Sequence, residues 1–138
     1  MSEPVTPMPG PPLTSVLYVD DEPDIREVVE LSLSLVSGIA VKTCGSGSAA
    51  LQLLPSFMPD LVLLDVMMPG LDGPATLTQM RNDPALKHIP VVFMTAKALP
   101  QEVDRFMSLG AVGVISKPFD PMQLAARVQD IWRSVVNS

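Results

Sequence analysis

From Ser15 onward, five short apolar runs alternate with five longer amphipathic ones, and few folds accommodate that rhythm. A short run that is apolar at every position has no polar face to turn to water, so it belongs in a sheet buried on both sides. The longer runs between supply the covering helices. The pattern predicts an α/β fold, a doubly wound parallel sheet of five strands with five helices. Strands are expected at about 15–19, 40–43, 60–64, 90–94 and 112–115, and helices at about 23–37, 47–55, 74–82, 100–109 and 119–136. Pro23, Pro74, Pro100 and Pro121 stand near predicted helix starts, where the missing N–H costs nothing and the fixed φ suits the first turn. Gly38 and Gly110 are placed to end helices in a left-handed conformation.

With 138 residues there is room for one sizeable core. Residues 1–14, with Pro4, Pro7, Pro9, Pro11 and Pro12, read as a flexible tail, and 15–138 as the folded domain. A formal charge of -6 and the absence of any Lys/Arg cluster argue against a nucleic-acid surface. No apolar stretch reaches the length of a membrane span and no charged-then-apolar leader opens the chain, so a soluble cytoplasmic protein is expected. Cys44 is the single cysteine and reads as a small buried residue at a strand end.

In an open parallel sheet, ligands bind beyond the carboxyl ends of the strands. Asp20 and Asp21 follow the first predicted strand, Asp65 the third, Thr95 the fourth, and Lys117 the fifth. Two carboxylates about 4 Å apart repel by roughly 4 kcal/mol at an effective dielectric near 20, so such a cluster implies a raised pKa or a hard cation. Magnesium, which takes one or two carboxylates together with waters and phosphate oxygens, suits the set. Singly, each residue has a plainer reading: Asp21 as a cap for the first helix, Thr95 as a turn residue, Lys117 as a solvated lysine. Their joint placement on one edge favours a site for a dication and a phosphoryl group. Gly45-Ser46-Gly47-Ser48 lacks the spacing and lysine of a nucleotide loop, and Ser46 or Ser48 serves better as a helix cap. His88, the sole histidine, reads as a surface loop residue, and most methionines as packing.

Val-Asp-Asp-Glu-Pro (19–23), Leu-Leu-Asp-Val-Met-Met-Pro-Gly (63–70), Met-Thr-Ala (94–96) and Lys-Pro-Phe (117–119) resemble the receiver domains of two-component response regulators, in that family's order and spacing. The resemblance implies a flavodoxin-like sheet of order 2-1-3-4-5. It implies phosphorylation of Asp65 by a phosphohistidine on a sensor histidine kinase or histidine phosphotransfer protein. It further implies magnesium held by Asp21, Asp65 and the main-chain carbonyl of Met67, with Asp20 acting largely through water. Thr95 and Lys117 would take the phosphoryl oxygens, and the Lys117-Pro118 peptide would be cis. Phosphorylation would then bias the face formed by the fourth helix, fifth strand and fifth helix.

Two features depart from the family pattern or tune it. The fifth-strand position that carries a mobile Tyr or Phe in many members is Val114, so movement of Thr95 would be relayed by backbone or helix shifts. Met67 and Lys97, each two residues beyond a site residue, occupy places that in the family it resembles tune how fast water removes the phosphoryl group; a bulky Met67 would obstruct that water and Lys97 would hold the phosphoryl oxygens or the partner, so slow loss is expected. Two other readings compete. A haloacid-dehalogenase-type phosphatase would place a second Asp where Met67 stands. A degenerate receiver used for docking or dimerisation would lack one of the five site residues. Ala125, Ala126, Val128, Ile131 and Trp132 on the last helix form either a partner face or, more commonly, a face packed on the sheet. A monomer or weak dimer is expected, acting through protein contacts as a switch and not as an enzyme.

Overall fold

Along β1 (Ser15–Val19) side chains alternate between two faces, and both are buried. Leu17 and Val19 enter one apolar cluster, while Val16 and Tyr18 enter another on the opposite side. The same division runs through β3 (Leu61–Asp65) and β4 (Val91–Thr95), whose residues are buried throughout. A computed structural model describes residues 10–137 of the chain. In it, β2 (Ala40–Cys44) and β5 (Gly113–Ser116) complete a parallel five-stranded sheet of order β2-β1-β3-β4-β5.

Helices α1 (Pro23–Ser37) and α5 (Pro121–Val136) cover one face with Val29, Leu33, Leu124, Val128 and Trp132. On the other face lie α2 (Gly47–Leu53), α3 (Gly73–Arg81) and α4 (Pro100–Ser108), contributing Ala50, Leu77, Met80 and Phe106. Phe106 packs on Phe93 of β4 with ring centroids 5.0 Å apart. Ala125, Val128 and Trp132 are thus part of the core and not a partner face. Pro occupies the first turn of α1, α3, α4 and α5, as expected, and Gly38 ends α1 at φ 70°.

Three expectations need adjustment. Strands three to five each begin and end one residue later than predicted, because parallel pairing extends past the apolar runs: Asp65 pairs with Met94 and Thr95 with Ser116. Asp65 and Thr95 therefore close their strands instead of following them. The last helix starts at Pro121 because Asp120 caps it, accepting the Met122 amide at 2.9 Å. Of the expected tail, residues 1–9 lie outside the described residues, and the part from Pro11 to Thr14 is held against the domain. Leu13 is buried, Thr14 donates to Asp60 through its amide (2.9 Å) and hydroxyl (3.0 Å), and the Trp132 indole donates to the Pro11 carbonyl at 2.8 Å. Among the described residues no helix is long and apolar enough to cross a membrane.

Candidate functional site

β1 delivers Asp20 to the carboxyl edge completely buried, and every polar group of that residue is used. Its amide donates to the Cys44 carbonyl at 3.1 Å and its carbonyl accepts from Arg26 Nη1 at 2.7 Å. Its Oδ1 accepts the Glu22 amide at 2.9 Å, and its Oδ2 accepts the Tyr18 hydroxyl at 2.7 Å. Lys117 Nζ approaches the same Oδ2 at 3.3 Å and reaches Asp65 Oδ2 at 3.4 Å. Asp21, next along the chain, is exposed. Glu22 stands at the N-cap of α1 without a side-chain bond, so the capping reading of Asp21 fails. Ser46, by contrast, caps α2 by accepting the Ala49 amide at 3.0 Å, and His88 is an exposed loop residue.

The carboxylates of Asp20, Asp21 and Asp65 each place an oxygen within 4.8 Å of the others. Asp65 is 5% exposed. Burial raises its pKa above the ordinary carboxylate value; Lys117 pulls the other way, the Asp20 charge adds to the rise, and the Met67 amide partly offsets it. Lys117 feels the opposite balance: burial lowers its pKa, but the charges of Asp20 and Asp65 outweigh burial and raise it, so it is a firm cation. The Tyr18 phenol is raised far above its ordinary value by burial and by its bond to Asp20, and it remains a hydrogen-bond donor. Three oxygen ligands gathered at one point, against a single neutralising lysine, fit a hard dication of the magnesium kind.

Thr95 closes β4 with its side chain buried, and its hydroxyl accepts the Lys97 amide at 3.0 Å instead of contacting Asp65. The Lys97 residue itself is exposed. Met67 turns its side chain to solvent, 78% exposed, beside the acidic cluster. Val114 is half-buried against the cluster beneath α4. The Lys117-Pro118 peptide is cis, as expected. Sequence reasoning brought the acidic residues and Lys117 together correctly but overlooked Tyr18 and Arg26. Strand alternation could have found the first, since Tyr18 lies two residues before Asp20 on the same face.

Fold and site together define a flavodoxin-like α/β protein with an acidic cluster at its carboxyl edge that fits a hard dication. The family model for the response regulator receiver domain matches residues 16–129. A curated relative, "Probable transcriptional regulator ycf27" of Guillardia theta, is 41% identical over 86% of this chain and 45% of its own length. Response regulator Rre1 of Synechocystis is 36% identical over 85% of this chain and 51% of its own length. Among solved structures, the chemotaxis response regulator CheY4 of Vibrio cholerae superposes with a TM-score of 0.80 at 29% identity, covering 86% of this chain and 98% of that one. The chain belongs to the response regulator receiver family and is a receiver domain of two-component signalling. It spans about half the length of the two curated relatives.

Proposed function

We propose that Asp65 accepts a phosphoryl group from a phosphohistidine on a sensor histidine kinase or histidine phosphotransfer protein, and that the acyl phosphate switches a protein-binding face. The observation that carries this reading is the meeting of three carboxylates within 4.8 Å, with Lys117 Nζ at 3.4 Å from the acceptor Asp65. An oxygen of Asp65 attacks phosphorus as the P–N bond breaks, and the electron pair returns to the donor imidazole. No general base is required, because an ionised carboxylate has no proton to remove. Catalysis is then a matter of positioning and charge neutralisation. Lys117 faces the oxygens of the arriving group, and the Thr95 hydroxyl closes on one of them. Asp20, Asp21, Asp65 and the Met67 carbonyl would hold magnesium, which supplies charge neutralisation for the phosphoryl oxygens. The exposed Met67 side chain obstructs the approach of water, and the exposed Lys97 is available to hold the phosphoryl oxygens, so the phosphoryl group is slow to leave. With Val114 in place of an aromatic gate, the Thr95 movement reaches α4, β5 and α5 through the backbone. The protein works in the cytoplasm, where such donors present their phosphohistidine, as a monomer or weak dimer.

The test is intact-mass measurement after incubation with acetyl phosphate, with and without magnesium, for the parent and Asp65→Asn. A magnesium-dependent gain of one phosphoryl group that vanishes in Asp65→Asn supports the reading. If neither acetyl phosphate nor a phosphohistidine donor adds a group, the domain is a docking module.

A further inference from the structure

We infer that Tyr18 is a positioning residue for the dication site, its buried hydroxyl holding the Asp20 carboxylate in the one orientation that leaves that residue able to serve a metal. The inference rests on the magnesium-dependent reading above and adds to it a residue outside the acidic cluster. Tyr18 is fully buried in the middle of the α1/α5 core, and its ring is gripped from that side by apolar neighbours. Only its hydroxyl reaches the edge, 2.7 Å from Asp20 Oδ2. A second donor, Lys117 Nζ, stands at 3.3 Å from the same oxygen. The other oxygen, Oδ1, carries the Glu22 amide at 2.9 Å and retains a lone pair for a metal-bound water or the metal.

Remove the phenol, and Oδ2 has Lys117 as its one side-chain donor. The carboxylate then turns toward the ammonium and draws it from Asp65, where it stands at 3.4 Å, so one deletion disturbs both the metal oxygen and the lysine. Groups that orient metal ligands from behind typically contribute about 10- to 100-fold to metal affinity. Tyr18 is one such group, placed by strand alternation on the face that Asp20 shares.

Tyr18→Phe keeps the ring and removes only the donor. Magnesium chloride titrated into each protein by calorimetry gives the affinities, and acetyl phosphate labelling is followed across magnesium concentrations. Expected is a loss of affinity of roughly tenfold or more in Tyr18→Phe, with labelling recovered at saturating magnesium. Tyr18 is also the sole tyrosine in the chain. Its ultraviolet resonance Raman bands in the unaltered protein therefore report the hydrogen bond to Asp20 directly, and they are expected to shift as magnesium binds. That second readout decides the matter even if Tyr18→Phe does not fold. Magnesium affinity unchanged within about twofold, or tyrosine bands silent while the unaltered protein binds magnesium, would make Tyr18 a core residue only. Failure of the unaltered protein to bind magnesium at all would overturn the dication reading itself, and is distinguishable from both.

Discussion

The hydroxyl of Thr95 is tied to the backbone of Lys97: the Lys97 amide donates to Thr95 Oγ1 at 3.0 Å, and the Lys97 carbonyl lies 3.5 Å from the same oxygen. A hydroxyl that turns to donate to a phosphoryl group on Asp65 gives up the Lys97 carbonyl and moves the acceptor of the Lys97 amide, so the loop from β4 to α4 is mechanically joined to the site. Replacing Thr95 with Ala should leave Asp65 able to accept a phosphoryl group, more slowly, while largely abolishing the response of the loop. Amide NMR shifts of Lys97 and Ala98 on adding beryllofluoride and magnesium would measure it. Parent-like shifts in Thr95→Ala would sever the proposed link.

Metal-free stability should depend on Asp65. An acid whose folded pKa is raised carries no penalty below its ordinary value of 3.8, and the penalty grows as pH rises through the folded value. Asp65→Asn is therefore expected to melt a few degrees above the parent at pH 7 without metal, with the gap closing toward acid pH. Added magnesium should narrow the gap by stabilising the parent alone. Thermal melts across pH, with and without the ion, provide the check, and a parent more stable than Asp65→Asn at neutral pH without metal would contradict it.

Met67→Asn should shorten the life of the acyl phosphate several-fold, since a side chain that is 78% exposed beside the acceptor shields it without contributing to the core. Stability should barely change. The decay of the phosphorylated mass with time separates the two variants, and equal half-lives would clear Met67 of the role.

A Cβ at position 73 would lie 2.5 Å from the Asp65 carbonyl and 2.9 Å from the Val66 Cα, both backbone atoms with no room to yield. Gly73→Ala should cost about 1–3 kcal/mol through overpacking and displace the end of β3. Phosphorylation should fall with it. Normal labelling at unchanged stability would show that the loop relaxes freely.

Arg81 provides a contrast, because it stabilises at a distance from the chemistry. Its guanidinium donates to the carbonyls of Lys87 (3.1 Å), Ile89 (2.9 Å) and Gly110 (3.0 Å), pinning the loops before β4 and β5. Arg81→Ala is expected to lower stability by about 2–3 kcal/mol. Acetyl phosphate labelling below the melting range should match the parent, and denaturant melts paired with labelling would show whether the two effects separate.

The layered fold was readable because its three central strands are apolar at nearly every position, and the site because carboxylates crowd at strand ends where apolar residues would otherwise continue. What escaped was set by pairing and by distant contacts. Asp65 and Thr95 sit inside their strands because backbone partners at Met94 and Ser116 extend the ladder beyond the apolar run. Leu13 and Thr14 read as tail because their partners, Asp60 among them, are far along the chain. Tyr18 looked like one more apolar strand residue; alternation puts it on the face of Asp20, but only the packing of its ring brings its hydroxyl to the carboxylate.

The Pro11–Trp132 contact brings the two ends of the described chain together, with Gly10 beside Val136. Both lie at the amino edge of the sheet, opposite Asp65. Splicing this unit into a surface loop of a second protein would need only a narrow gap between the two junctions. The host would then carry the acidic edge facing outward, free to meet a donor.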